Sequence, residues 1–414
     1  MDRDLLRDVL LSQDRKVEED IVPRTLMGKV GEFRDTPFVV IVSGIRRCGK
    51  STLLRAIKDD KSYYVNFDDE RFIDFSVKDF ALLYDLLIEL FGERDIFLFD
   101  EIQNVAGWER FVRRLHDEKK KVYVTGSNAT MLSRELGTHL TGRNVSLSLY
   151  PFSFKEFLAF RGHKTGDLRR LTFRERSVLK GLFSEYLEKG GFPEYLCTGK
   201  QEYLQSLHQN ILYRDIITRH NLTSEKPIKE AVYYAASNVG KEISFNAARK
   251  LSGLSSATTV KEYFEYLENS YLVFLIPRYD YSAKKQIYYN KKVYYVDTAL
   301  ARIVGFRPTE DRGRLLENVV FLALKRKEGE IFFHRETKEC DFLVCVKGKV
   351  SAAIQVTADY KKSMEREIEG LSEATERHRL KTGLILTYDE RGETEKDGKK
   401  IIIKPVWEWL LEND

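Results

Sequence analysis

Short apolar runs rich in β-branched and aromatic residues recur through the first part of the chain: FVVIVS from Phe38, YYVNF from Tyr63, IFLFD from Ile96, KVYVTG from Lys121 and VSLSLY from Val145. Between them, apolar positions return at helical spacing. Continuous runs this short read as buried strands, and their alternation with helices predicts an α/β fold: a mainly parallel three-layer sheet that presents its ligand at the C-terminal strand ends. From residue 161 the pattern turns helical, interrupted by the Gly/Pro break GGFPEYL at Gly190. Then ISFNAARKLSGLSSATTVKEYFEYLENSYLVFLIP reads as a helix, a turn through Gly253, a longer helix and a hairpin, the order of a winged helix-turn-helix. From Arg314 a helix precedes three strands (IFFHRE, CDFLVCV, AAIQVT), a helix, two more strands and a terminal helix, an α+β arrangement. The boundaries expected are residues 1–160 for the α/β domain, 161–225 for a helical connector, 226–295 for the winged helix and 296–414 for the α+β domain.

The punctuation between strands carries the chemistry. After FVVIVS comes GIRRCGKST, Gly44 to Thr52. A buried strand feeding a glycine-rich turn into a helix is the setting of a phosphate-binding loop. Gly44, Ile45, Arg46, Arg47, Cys48 and Gly49 would curl their N–H groups around phosphates. Lys50 would reach the β- and γ-phosphates, Ser51 would ligate Mg²⁺, and Thr52 would follow on the helix. IFLFD ends in Asp100 followed by Glu101, one carboxylate for the metal and one to activate water. After KVYVTG, Ser127 and Asn128 are placed to sense the γ-phosphate. Arg143 is either a finger on developing charge, within the chain or across a subunit interface, or an ordinary surface ion pair.

GIRRCGKSTLL, DEIQNVAGWERF, VTGSNATML, LTGR, LYPFSFKEFL, GGFPEYL, ILYRDII and KKVYYVDTALA occur in that order. This set resembles an uncharacterised prokaryotic group of AAA-type P-loop ATPases, found in archaea and bacteria, with a C-terminal domain of unknown function. The resemblance spans nearly the whole chain. It implies an ATPase core fused to a winged helix and a fold similar to the PD-(D/E)xK nucleases, without implying a substrate. In active nucleases of that type an acid on the first helix, an Asp on the second strand and a Glu or Gln on the third hold Mg²⁺. A lysine two residues further on steadies the attacking water. Glu317, Asp341 and Gln355 match the first three, a candidate second metal site. Strand side chains alternate, so Thr357 stands where the lysine belongs. Lys361 or Lys362 would be a migrated substitute. Loss of such a group typically costs on the order of 10²- to 10³-fold in rate, so a fold kept as a scaffold is favoured and an active metal nuclease is the alternative.

Charge and composition narrow the partners less. The 414 residues carry a net charge of +5, 43% hydrophobic and 32% charged residues and 8 prolines, as expected of a soluble multidomain chain. Clustering matters more than net charge in nucleic-acid binding. Ser256, Thr258, Thr259 and Lys261 would face a DNA major groove, with Lys284, Lys285, Lys291 and Lys292 around the wing. Glu262, Glu265 and Glu268 on the same helix oppose that reading. Double-stranded DNA or a protein partner are therefore both open, as is oligomerisation. Cys48, Cys197, Cys340 and Cys345 lack zinc spacing and read as reduced thiols. No apolar run reaches membrane-spanning length and the N-terminus lacks a signal-peptide pattern, so a cytoplasmic protein without membrane contact is expected.

Overall fold

A computed structural model describes residues 1–14, 21–128, 142–164, 166–254, 256–305 and 312–413. Residues 129–132, the end of the VTGSNATML motif, and residues 140–141 of LTGR lie outside the described residues. The chain divides into two compact units, Met1–Tyr150 and Pro151–Asp414. The break falls ahead of the helix Phe154–Phe160, and the expected connector, winged helix and α+β domain together form the second unit.

In the first unit the strands are β1 (Val39–Ser43), β2 (Ser62–Asn66), β3 (Ile96–Asp100), β4 (Lys121–Gly126) and β5 (Asn144–Ser148). They form one sheet in the order β2-β3-β4-β1-β5, with every pairing parallel. β1 is buried at all its positions, as strands covered on both faces must be. Helices α1 (Lys50–Ala56), α2 (Phe80–Phe91) and α3 (Trp108–Asp117) connect the strands. Apolar residues of α2 and α3, among them Phe80, Leu83, Phe111 and Val112, join Phe97 and Phe99 of β3 in one core.

The second unit begins with a helical stretch that includes Phe173–Lys189 and Gln201–Asn210 and runs on through a π-helix at Ile211–Thr218. Next come α4 (Lys226–Ser237), β6 (Glu242–Ile243), α5 (Phe245–Leu251), α6 (Ala257–Asn269), β7 (Val273–Pro277), α7 (Ala283–Tyr288) and β8 (Lys291–Tyr295). β6, β8 and β7 make a small antiparallel sheet, and the segment joining β7 to β8 contains a helix instead of a bare hairpin tip. After α8 (Arg312–Lys325) follow β9 (Glu330–Arg335), β10 (Glu339–Val346), β11 (Lys349–Thr357), α9 (Tyr360–Arg377), β12 (Thr382–Thr387), β13 (Gly392–Lys396), β14 (Lys399–Pro405) and α10 (Val406–Asn413). Their sheet has the order β13-β14-β12-β11-β10-β9, antiparallel from β9 to β11 and parallel from β11 through β12 to β14. Among the described residues no helix is long and apolar enough to cross a membrane.

Candidate functional sites

Chain geometry at the end of β1 leaves no room for a side chain. A Cβ on Gly44 would lie 2.1 Å from the Leu149 carbonyl oxygen. Gly49 has φ +101°, a region that favours glycine, and a Cβ there would meet Arg24 Nη1 at 3.1 Å. Arg24 lies in no motif that marks it from sequence. Its buried guanidinium donates to the Cys48 carbonyl at 2.8 Å and to that of Tyr150, tying the loop to the chain after β5. Arg47 also has a positive φ, +64°.

Lys50 is buried, and its amine donates to the carbonyls of Gly44 at 3.1 Å and Ile45 at 3.4 Å. It also lies 3.4 Å from Glu101 Oε1. The P-loop cation and the second acidic residue therefore lie side by side. Because β4 separates β1 from β3 in the sheet, it delivers its own end between them. There Thr125 accepts a hydrogen bond from the Glu101 N–H at 2.9 Å and donates to Asp100 Oδ1. Ser127 and Asn128 are buried just beyond.

Asp100 is fully buried. Burial and the neighbouring Glu101 push its carboxyl up from the ordinary range, while hydrogen bonds from Ser51, Thr125 and Tyr64 pull it back; Tyr64 donates at 2.9 Å. Ser51, Thr125, Asp100 and Glu101 form an oxygen-rich set suited to a hard divalent cation, and the glycine-rich turn beside Lys50 suits phosphates. Glu101 itself has φ +50°, left-handed backbone that costs a carboxylate residue of order 1–3 kcal/mol and concentrates at functional sites. Its Oε2 accepts from Gln103 Nε2 at 2.5 Å.

Arg143 is not part of this arrangement. It precedes β5, and its carbonyl accepts from Val39 N–H at the start of β1. That is the opposite end of the strands, roughly 16 Å from the P-loop at about 3.3 Å per strand residue. Its half-exposed guanidinium pairs with Asp117 at 3.4 Å. A finger acting on phosphate in the same chain is incompatible with this placement.

In the second unit the sequence-nominated carboxylates do converge, but on a lysine. Lys292 and Tyr294 alternate onto the same face of β8, aimed inward. Lys292 is 1% exposed; its Nζ lies 2.8 Å from Asp341 Oδ1, 3.2 Å from Glu317 Oε1 and 2.7 Å from Glu339 Oε1. Tyr294 donates to Glu317 Oε1 at 2.6 Å. The pairing of β10 with β9 is irregular between Cys340 and Leu343, and such bulges re-aim side chains; Asp341 falls within this step. Burial and the charge of Asp341 push the Glu317 carboxyl up to about 7. Burial also raises Asp341. Burial opposes the charge on Lys292, but Asp341 and Glu317 outweigh it and hold the amine protonated.

Three expectations change as a result. Lys292 is not a surface lysine of the wing. The cation between Glu317 and Asp341 is its ammonium, and Gln355 is turned away from a metal: its amide oxygen accepts from Asp341 N–H at 3.0 Å and its amide nitrogen donates to Glu367 at 2.6 Å. Among the described residues, no group of three or more His, Cys, Asp or Glu is placed to hold a metal ion. Nor does a migrated lysine come from the following helix: Lys361 is exposed, Lys362 pairs with Asp359 at 3.0 Å, and Thr357 shares a hydrogen bond with Ser363 at 2.9 Å. Ser256 caps α6 through the Thr258 N–H. Glu268 on that helix is engaged by the Leu275 N–H at 2.9 Å.

The chain matches two families, one described as an AAA domain over residues 36–158 and one as a domain of unknown function (DUF8612) over residues 180–310. It is 32% identical over 398 residues to the uncharacterized protein MJ1544 of Methanocaldococcus jannaschii, with 90% of this chain and 88% of that one covered. An uncharacterized protein of Haemophilus influenzae is 30% identical over 402 residues, covering 92% and 96%. Among solved structures, AMPPCP-bound DnaA from Aquifex aeolicus aligns over 63% of this chain and 91% of its own at 13% identity, with a TM-score of 0.26. At that score the likeness carries no inference about this chain.

Proposed function

Because the chain belongs to the family of MJ1544 and its Haemophilus influenzae relative, and carries an AAA domain, we propose that it binds Mg²⁺-ATP at the β1–α1 loop and hydrolyses it. The convergence of Lys50, Ser51, Asp100 and Glu101 at the ends of β1 and β3, on either side of β4, carries this reading. Lys50, held in the free site by Glu101 and two loop carbonyls, exchanges those partners for β- and γ-phosphate oxygens. Ser51 and Asp100 hold the metal, which supplies neutralisation of phosphate charge. Glu101 takes the proton of the attacking water, and Thr125 fixes both acidic residues relative to each other. Asn128 reports the γ-phosphate from between them. Wild-type protein is expected to bind a fluorescent ATP analogue and release phosphate; Lys50→Ala loses binding, and Glu101→Gln keeps binding while losing on the order of 10²- to 10⁴-fold in rate. A wild-type protein that binds no ATP sinks the proposal.

The second unit is proposed to couple this cycle to nucleic acid. The order α4-β6-α5-α6-β7-α7-β8 supports a winged helix, and Lys284 and Lys285 are exposed on the segment between β7 and β8. ATPase rates measured with and without duplex and single-stranded DNA separate this from a nucleotide-gated switch for a protein partner, which predicts no stimulation. The metal-nuclease alternative loses its support to Lys292.

A further inference from the structure

A cavity of about 420 Å³ opens in the second unit between the segment after β7, the end of β9 and the end of α9. Arg278, Lys285 and Arg377 line it together with Tyr279, Tyr281 and His378, and so do two acidic residues, Glu336 and Asp280, the latter 3.8 Å from Lys285. The aromatic rings meet edge to face. Tyr279 is fixed edge-on by Phe332 at 5.3 Å and His378 at 4.8 Å, and Tyr281 stands edge-on to Tyr279 at 5.5 Å. Tyr281 is nevertheless 73% exposed, and the Arg377 guanidinium lies 5.7 Å from its ring centre. Arg377 is oriented by Glu336 at 2.9 Å. The buried Nε2 of His378 has no hydrogen-bond partner among the described residues.

The same segment continues the pattern outside the cavity. YDYSAKKQIYYNK, Tyr279 to Lys291, interleaves tyrosines with lysines, and on it Ile287 and Tyr288 are 63% and 76% exposed. Exposed rings beside cations form the platform on which unpaired bases stack while phosphates meet the positive groups. A duplex hides its base faces and leaves such rings unused. A mononucleotide has the size of small ligands that such a cavity holds.

We propose that this cavity binds an unpaired nucleotide presented by a single strand, its base stacked on Tyr281 and its phosphates met by Arg377, Arg278 and Lys285, with Tyr288 stacking a neighbouring base. This rests on the reading that the second unit handles nucleic acid. It moves the contact from α6, with its acidic residues, to the segment between β7 and β8.

The test is fluorescence anisotropy of the full chain with labelled oligothymidylate of about 16 nucleotides, a length at the upper end of single-domain sites. Unlabelled strand, a hairpin duplex and thymidine monophosphate serve as competitors. Binding is expected, weakened about tenfold or more by Tyr281→Ala with Tyr288→Ala, and with a shallower salt dependence in Arg377→Gln. Both tyrosines are exposed, so loss of fold does not mimic the effect. The proposal is overturned if the variants bind as wild type, or if the duplex competes as well as the strand, which returns the contact to the groove reading of α6. Competition by thymidine monophosphate at equal concentration overturns the strand as the source. If neither strand nor duplex binds, the nucleic-acid reading of the unit fails as a whole.

Discussion

The ammonium of Lys292 lies 2.8 Å from the carboxylate of Asp341 and 3.2 Å from that of Glu317, the two carboxylates nominated for a metal by the resemblance in sequence. A side chain therefore supplies permanently the charge that a metal would supply on binding. Taking one partner from a buried ionic cluster leaves the rest uncompensated, which costs about 3–5 kcal/mol. Lys292→Met is expected to destabilise the chain by that order in urea unfolding followed by circular dichroism. Adding Glu317→Gln and Asp341→Asn is expected to restore most of the loss. Lys292→Met with unchanged stability would mean that the carboxylates are not paired through this amine.

The threonine at the end of β4 sets the relation between the two acidic residues of the proposed ATP site. Thr125 accepts from the Glu101 backbone and donates to the Asp100 side chain. Thr125→Val keeps the shape and removes both bonds. A hydrogen bond to a charged group is worth about 1.5–3 kcal/mol, so turnover is expected to fall at least about tenfold while ATP affinity, measured by equilibrium titration, changes little.

Arg143 stands at the opposite end of the strands from the phosphate loop. For a dilute, unassembled protein Arg143→Ala is expected to leave ATP turnover unchanged, because an exposed pair such as the one with Asp117 is worth only about 0–1 kcal/mol. Turnover that depends on protein concentration in the wild type, and loses that dependence in the variant, would assign the arginine to a neighbouring subunit's site.

Two motifs distant in sequence are joined by Asp297, whose carboxylate accepts from the N–H groups of Gly191 at 2.7 Å and Leu300 at 2.9 Å. A Cβ on Gly190 would come 2.1 Å from Asp297 Oδ2, at φ +65°. Gly190→Ala has to expel the carboxylate and adopt an unfavourable backbone, a loss on the order of 2 kcal/mol or more. Thermal unfolding of the variant checks it, and an unshifted midpoint rejects the clamp.

What could be read from the chain tracks how local the determinant is. The P-loop and the end of β3 were legible because adjacent residues carry the chemistry and a buried strand announces itself as an apolar run. Arg24 and Thr125 were not, since each acts through contacts far away in sequence. Lys292 shows the intermediate case: the alternation in KKVYY places it on the face of Tyr294, inward on a buried strand, yet a lysine beside another lysine reads as surface. The strand β13, GETEK, escaped notice because an edge strand with polar residues carries no apolar signal.

Histidine 208 makes a prediction for acid stability. Burial drives its imidazole down to about 4 from the ordinary 6.5, and its Nε2 has no hydrogen-bond partner among the described residues. The folded chain therefore keeps His208 neutral where the unfolded chain protonates it. A depressed folded value means that the neutral form's contribution is complete above about pH 6.5 and is withdrawn as pH falls toward 4, since the unfolded state then binds the extra proton. Two to three pH units of separation correspond to about 3–4 kcal/mol. His208→Gln, which cannot titrate, is expected to lose less stability than the wild type between pH 7 and 4 by that order, in urea unfolding run at matched ionic strength. Taking the difference between the two proteins removes the opposing contribution of Asp297, whose carboxyl burial raises to about 6 and which is present in both. Parallel pH profiles for the two proteins would show that His208 is hydrated in the folded state.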